Sequence, residues 1–373
     1  MKILYITFID FGVKTSGSSV RPQKMYEAFL KRGHDVFLVK GDDFITHDNS
    51  GHKKSVAEAN AWLDNNTPDI CYVENATHPL FLKEDRKLIK RVHEMGIPVG
   101  YFYRDFYYRY PELYGPGKGL RNKLIYHYTL PLFRRDEKFL SKNADILYVP
   151  TDDACKVFSH PDARKLPPAG EIRESSFNDS KMSLYIGGIA TGYGFDAMLK
   201  AYDCLNASGM GDYPLTVVCR EAELALLGVT REDLEREHPY LTIAHASGDE
   251  LKKYYDMAAV CVVPKENDPY NHVTVSIKLY EYFSFGKPFI SRPCKAPMDL
   301  FRDSEAAVFT ADYSMESMVS CVRDFFGDPV KMRKMHEEAL SFIREGNTWE
   351  DRTEQILSDL LELSEKRGKN IAG

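Results

Sequence analysis

No apolar run in this chain approaches the roughly 20 residues that a membrane helix needs, so no spanning segment is expected. The start, Met1–Ile6, is too short and wrongly flanked for a signal peptide and reads as a first strand. Seven cysteines, at positions 71, 155, 204, 219, 261, 294 and 321, form no CxxC pair, and several lie inside apolar strand patterns. That spacing suggests no zinc site and fits free thiols in a reducing cytoplasm, which is the expected location. Internal sequence repeats and low-complexity segments are also lacking.

What is present is ordinary for a globular protein: 43% hydrophobic and 28% charged residues over 373, enough for two domains. The net charge of -6 is unevenly spread. Residues 1–165 hold 26 Lys and Arg against 21 Asp and Glu, and the remainder holds 23 against 34. A basic first half suits an anionic surface or acceptor. A strongly acidic second half argues against nucleic acid as a partner.

Along the chain, apolar runs of strand length alternate with stretches of helical period. In the first part the strands read as Ile3–Phe8, His34–Val39, Asp69–Val73, Pro98–Phe102 and Asp145–Val149. A polar loop, Lys14–Ser19, precedes a helix expected from about Arg21, with Pro22 in its first turn and Gly33 closing it. After Leu166–Gly170 the stretch to Lys181 reads as a linker. A second set of strands follows at Ser183–Ile186, Leu215–Cys219, Leu241–Ala244, Val260–Val263, Pro288–Ser291 and Ala307–Thr310. Strands separated by helices imply parallel sheets covered on both faces. The expected division is 1–168, 182–345 and a C-terminal amphipathic helix with its tail over 346–373.

The segment His272–Ile290 (HVTVSIKLYEYFSFGKPFI) reads as a loop, a helix carrying Lys278 and Glu281, and a Gly-Lys-Pro turn into a buried strand. A helix start offers unbonded N–H groups to an anion, and a carboxylate accepts two vicinal hydroxyls. This segment resembles the nucleotide-sugar binding segment of the GT-B glycosyltransferases, in particular glycosyltransferase family 4 of the group 1 superfamily. Other stretches extend the resemblance over nearly the whole chain. They are Gly17–Pro22 with Gly33–Val36, Leu184–Ile189 with Tyr193–Asp196, Leu215–Glu221, His245–Leu251, Val260–Pro264, and Asn347–Glu350. The resemblance implies two Rossmann-like α/β domains facing a cleft, with the last helix crossing back to the first domain. It places Glu281 on the donor ribose and the loop of His272, Val273 and Thr274 at the diphosphate. Gly17, Ser18 and Gly188 fall in glycine loops near the diphosphate, and Ala246 and Ser247 beside the nucleobase.

The chain departs from that pattern in two places. The family usually has two glutamates eight positions apart, but Val273 stands where the first belongs; Asp268, Asn271 and His272 are alternatives for its sugar contact. The family often carries basic residues after the first donor-domain strand, where this chain has Gly188 and Tyr193. Arg220, Lys278 and Lys265 are candidates to take over, with a salt bridge to Glu221 or Glu223 as the competing reading of Arg220. No Asp-x-Asp motif is well placed, and the adjacent pairs Asp42-Asp43 and Asp152-Asp153 read as solvated loop carboxylates. Metal-independent transfer is therefore expected, with charge stabilised by N–H groups and cations, and no cofactor beyond the nucleotide-diphosphate sugar that serves as substrate.

On the acceptor side, Tyr101–Tyr107 ends a strand at its C-terminal edge. Arg104 and Asp105 stand where relatives often carry a His-Asp pair, so Asp105 is the candidate to orient or deprotonate an acceptor hydroxyl. Arg21, Tyr107 and His78 are candidates for acceptor contact, with Glu74 and His78 a second pair. Residues 117–135 mix bases with large apolar side chains. This suits either a membrane-surface segment, bringing the inner face of the membrane into play, or a helix with one core face and snorkelling bases; the core reading is preferred. The resemblance implies transfer of a hexose or deoxyhexose, with retention, from a nucleotide-sugar donor to a saccharide or lipid-linked acceptor of a surface glycan (capsule, exopolysaccharide or cell wall), with two alternatives left open. Those are a nucleotide-sugar 2-epimerase of the same fold and a non-catalytic nucleotide-binding relative.

Overall fold

Eleven short apolar runs and one short polar edge segment become twelve parallel strands among the described residues, six in each of two units. The computed structural model describes residues 1–11, 17–44, 47–117, 119–190, 192–207 and 212–371, apart from the side chains of 17–19 and 367–371. One unit comprises Met1–Pro168 with Trp349–Gly373, the other Ala169–Thr348.

The first unit is built on β1 (Lys2–Thr7), β2 (Asp35–Val39), β3 (Ile70–Glu74), β4 (Val99–Phe102), β5 (Ile146–Val149) and β6 (Ala163–Lys165), in the order β2-β1-β3-β4-β5-β6. β1, β3, β4 and β5 are buried almost throughout, so they read as unbroken apolar runs. The rings of Tyr5, Tyr72 and Tyr148 run across the sheet with centroids 5.7 Å and 6.2 Å apart. The terminal helix Trp349–Ile371 packs in this unit against helix Gly17–Lys31, β3 and β4. Gly100 makes the approach possible, because a Cβ there would lie 2.9 Å from the Tyr148 ring and 3.2 Å from Leu360. Burying Ile356, Leu357 and Leu360 contributes about 1.5–3 kcal/mol each.

The second unit holds β7 (Ser183–Ile186), β8 (Leu215–Val218), β9 (Leu241–Ala244), β10 (Val260–Val263), β11 (Phe289–Ser291) and β12 (Ala307–Phe309), in the order β12-β11-β10-β7-β8-β9. An aromatic cluster of Phe283, Phe289, Phe301 and Phe342, with neighbouring centroids 5.1–5.3 Å apart, fills the space beside the sheet.

Three details differ from the sequence reading. Helix Gly17–Lys31 starts earlier than expected and takes in Gly17 to Ser19, so Pro22 lies inside it, with its carbonyl accepting the Tyr5 hydroxyl at 2.8 Å. Strand β6 was not foreseen. Residues 171–181, read as a linker, are fastened to the second unit: Glu171 N–H donates to Ser284 Oγ at 2.9 Å and Ser175 Oγ to the Phe285 carbonyl at 2.7 Å, while just before them Gly170 N–H donates to the Asn347 carbonyl at 2.9 Å.

Candidate functional site

In open parallel sheets a ligand settles beyond the carboxyl ends of the strands where the strand order reverses. In the second unit that point lies between β7 and β10. The segment leaving β7 comes so close to the one leaving β10 that a Cβ at Gly194, where φ is +79°, would fall on the Pro264 carbonyl oxygen at 1.7 Å. Lys265 follows, its Nζ 4.6 Å from the centre of the Tyr193 ring. Burial holds the Lys265 ammonium below the usual lysine range. Among the described residues it forms no direct ion pair, though the Asp268 carboxylate partly offsets the effect of burial, so a half-buried cation lies near the reversal point.

The loop from β10 then runs to helix Ile277–Ser284. Leu279, Tyr280, Tyr282, Phe283 and Ser284 are buried, and Ser276 caps the helix by accepting the Lys278 N–H at 3.3 Å. Immediately before that N–H, the backbone N–H groups of Thr274, Val275, Ser276 and Ile277 make no hydrogen bond within the described protein. Four consecutive N–H groups without a described partner at a helix start are chemically able to hold an anion. One turn on, Glu281 lies on the remaining, half-exposed face, where Lys278 Nζ meets its Oε2 at 2.7 Å.

Other expected donor residues have defined partners. His272 donates from Nε2 to Asn267 Oδ1 at 2.7 Å and accepts the Lys295 N–H on Nδ1 at 3.0 Å. Both ring nitrogens are thereby occupied in holding the loop, which leaves them unavailable to a sugar. Thr274 Oγ1 donates to the Tyr270 carbonyl at 2.8 Å, and Val273 N–H to the same carbonyl at 3.1 Å. Arg220 grips Glu223 through Nε and Nη2 at 2.9 and 2.7 Å, while Glu223 accepts the Ile189 N–H at 2.6 Å. The competing salt-bridge reading of Arg220 thus holds here. Glu223, expected only as a salt-bridge partner of Arg220, also fixes the Gly188 turn, where a Cβ would strike the Tyr193 ring at 2.8 Å. Ala246 is half-buried and Ser247 exposed, just beyond β9. In the first unit, the side chains of Gly17 and Ser18 lie outside the described residues.

The strand order of the first unit reverses between β1 and β3. Arg21 does not reach out for an acceptor there; it is buried, with Nε on Glu74 Oε1 at 3.0 Å, Nη1 on the Pro167 carbonyl at 3.2 Å, and its guanidinium 3.7 Å over the Phe102 ring. Glu74 therefore pairs with Arg21 and also accepts the Tyr72 hydroxyl at 2.7 Å, and is no partner of His78. His78 faces Asp43 instead, Nε2 to Oδ1 at 3.3 Å. Asp43 is fully buried, contrary to the expectation of a solvated carboxylate. Burial, with Asp85 adding to it, pushes its pKa up to about 8.

Arg104 Nη2 donates to the Asn75 carbonyl at 2.8 Å, and its Nε lies 3.7 Å from Asp105 Oδ2. Asp105 and Tyr107 line a cavity of about 140 Å³ together with Tyr108, Tyr114, Tyr126 and Phe133. Tyr108 stacks on Phe133 with centroids 4.3 Å apart, and Tyr107 lies 4.7 Å from Tyr114. One carboxylate in an aromatic wall suits a sugar ring, with apolar C–H faces against the rings and hydroxyls on the acid. The density of tyrosines over 101–114 was the available signal for it.

Helix Leu120–Asn143 overturns the core reading preferred for that segment. Only Asp136 and Leu140 are buried; Leu120, Leu124, Ile125 and Tyr128 stand exposed beside Arg121 and Lys123. No helix among the described residues is long and apolar enough to cross a membrane.

Residues 214–358 match a family model described as glycosyl transferase-like. No curated protein sequence matches the chain. Solved structures do. Sucrose-phosphate synthase from Thermosynechococcus elongatus superposes with a TM-score of 0.69 at 13% identity, over 97% of this chain and 99% of that one. HepE from Anabaena, solved with UDP and glucose, gives 0.64 at 11% identity, over 96% and 99%. An alpha-glucosyltransferase solved with UDP and a 13-mer DNA containing an HMU base gives 0.63 at 14%, over 97% and 99%. At such identities the likeness to these structures is one of fold.

Proposed function

Taking this chain as a glycosyltransferase of the GT-B fold, we propose that it transfers a hexose from a UDP-sugar to a saccharide or lipid-linked acceptor, with retention and without a metal at the diphosphate. The observation that carries the donor reading is the run of four unbonded N–H groups over Thr274–Ile277, with Glu281 one turn beyond. The N–H groups and Lys265 take the diphosphate, and Glu281 takes the ribose hydroxyls. These donors are fixed in place before the reaction, so they stabilise the departing nucleoside diphosphate with little reorganisation. UDP as the nucleotide is supported by its presence in the structures of HepE and the alpha-glucosyltransferase.

The acceptor sits against Tyr107 and Tyr114 with a hydroxyl on Asp105, in our reading. A saccharide is favoured over nucleic acid because the site wall is aromatic and acidic, and phosphates would seek bases. A lipid-linked form of that saccharide, as in surface-glycan assembly, is supported by the exposed apolar and basic stripe of helix Leu120–Asn143, which suits an anionic membrane surface. Asn271 and Asp268, bonded to each other, are the side chains nearest in sequence to Val273 that remain for the sugar contact of the absent glutamate.

The test is UDP release from a panel of UDP-hexoses in EDTA, with and without lipid-linked saccharide, and NMR of the product anomer. Acceptor-dependent release with retained configuration is expected. Conversion of donor to an isomer without acceptor would instead identify an epimerase, and binding without consumption of any donor a non-catalytic relative.

A further inference from the structure

Asp42, Asp43 and His78 bring one ligand atom each to within 4.8 Å of one another, on the loops that leave β2 and β3. This cluster lies in the first unit and has no part in the donor site described above. Its geometry has three features beyond proximity. Asp43 is fully buried, and among the described residues neither of its carboxylate oxygens accepts a hydrogen bond of good geometry, the Phe81 N–H being the nearest backbone donor to act on it. Its nearest partner is His78 Nε2, at 3.3 Å from Oδ1. The other ring nitrogen of His78 lies 3.1 Å from the Pro79 carbonyl, a contact that requires Nδ1 to carry the proton and leaves the Nε2 lone pair directed at Asp43. The imidazole nitrogen and the carboxyl therefore face each other, joined either by a proton or by a cation that both ligate. Asp42 is held in turn by the Phe44 N–H on Oδ1 at 2.8 Å and by His47 on Oδ2.

A backbone carbonyl orienting one imidazole nitrogen while the other faces carboxylates is the arrangement by which proteins present histidine to a metal. Ligand atoms about 2.0–2.2 Å from a tetrahedral ion lie roughly 3.4 Å apart, so atoms up to 4.8 Å apart must close by as much as about 1.4 Å to share one. Asp85 Oδ2 is buried without a partner beside the cluster, and His52 is already committed to Asp85 Oδ1 at 2.7 Å. We infer that Asp42, Asp43 and His78 form a site for a divalent transition-metal ion, bound through one imidazole nitrogen and two carboxylate oxygens, that ties the β2 and β3 loops together. Three protein ligands leave open positions for water.

The inference is independent of the donor reading, and its readout is the metal alone. The full chain, treated with chelator and exchanged into chelator-free buffer, is titrated calorimetrically with ZnCl₂ and, separately, MnCl₂. One saturable equivalent per chain is expected for at least one ion, with a higher melting temperature when it is bound. His78→Gln and Asp43→Asn, each with wild-type circular dichroism, are expected to weaken that binding at least tenfold. Uptake of neither ion by the wild type overturns the inference without recourse to variants. Equal uptake by wild type and both variants also overturns it, by placing the ion elsewhere. No uptake together with an Asp43→Asn variant more stable than wild type identifies a proton shared between Asp43 and His78 in place of a metal.

Discussion

Lys278 Nζ and Glu281 Oε2 stand 2.7 Å apart on the open face of a helix whose other residues are mostly buried. The lysine holds the carboxylate where the resemblance puts the donor ribose, while Leu279, Tyr280, Tyr282 and Phe283 prevent the helix from turning. Glu281→Ala is expected to weaken UDP-sugar binding by about 1–3 kcal/mol, the range for removing a partner from polar groups. Lys278→Ala, which only loosens a half-exposed pair, is expected to cost less than about 1 kcal/mol. Calorimetric titration of both variants checks the order.

Donor affinity is expected to depend on pH through Lys265. Its folded pKa is lowered, chiefly by burial, and only the charged form attracts a diphosphate. Affinity for UDP is therefore expected to be full at lower pH and to fall as pH rises through the depressed value, earlier than an exposed lysine would allow. Binding should also take up protons, since an anion raises the lysine's pKa. Lys265→Met is expected to bind UDP more weakly and to show neither effect, while its affinity for uridine stays that of wild type. Titrations in buffers of different ionisation enthalpy measure both.

Asp105→Asn keeps the shape of the aromatic cavity and removes the acid. Turnover is expected to drop about 100-fold, within the usual contribution of a positioned acid or base, with donor affinity unchanged. Tyr107→Ala is expected to raise the acceptor KM and leave the donor KM in place. Steady-state kinetics with each substrate varied separates the two.

The buried Arg21–Glu74 pair is structural. Removing one partner strands a charge away from water, so Arg21→Ala is expected to destabilise the chain by about 3–5 kcal/mol. The paired change Arg21→Met with Glu74→Leu is expected to recover much of that loss. Denaturant unfolding of the first unit's transition compares them.

The sheets were legible because parallel strands are buried on both faces and leave near-continuous apolar runs; eleven of the twelve were readable in this way. β6 was not, because Ala163, Arg164 and Lys165 form a short, half-exposed edge strand with no apolar run. The Thr274–Ile277 segment was legible as a loop entering a helix, but the occupation of both His272 nitrogens depends on Lys295, 23 residues away. Arg21 and Asp43 were misread for one reason: a charged residue is presumed solvated until a distant partner or a burying neighbour is known. For Arg21 the partner is Glu74, 53 residues on.

The central claim is a metal-free nucleoside-diphosphate site on the second unit. The most direct measurement is the melting temperature of the full chain in EDTA with UDP, GDP, dTDP and ADP, each in large excess. At 100 times its dissociation constant a ligand adds about 2.7 kcal/mol. A rise that is largest with UDP and reduced in Glu281→Ala is the expected result. No rise with any of the four in EDTA would contradict the account.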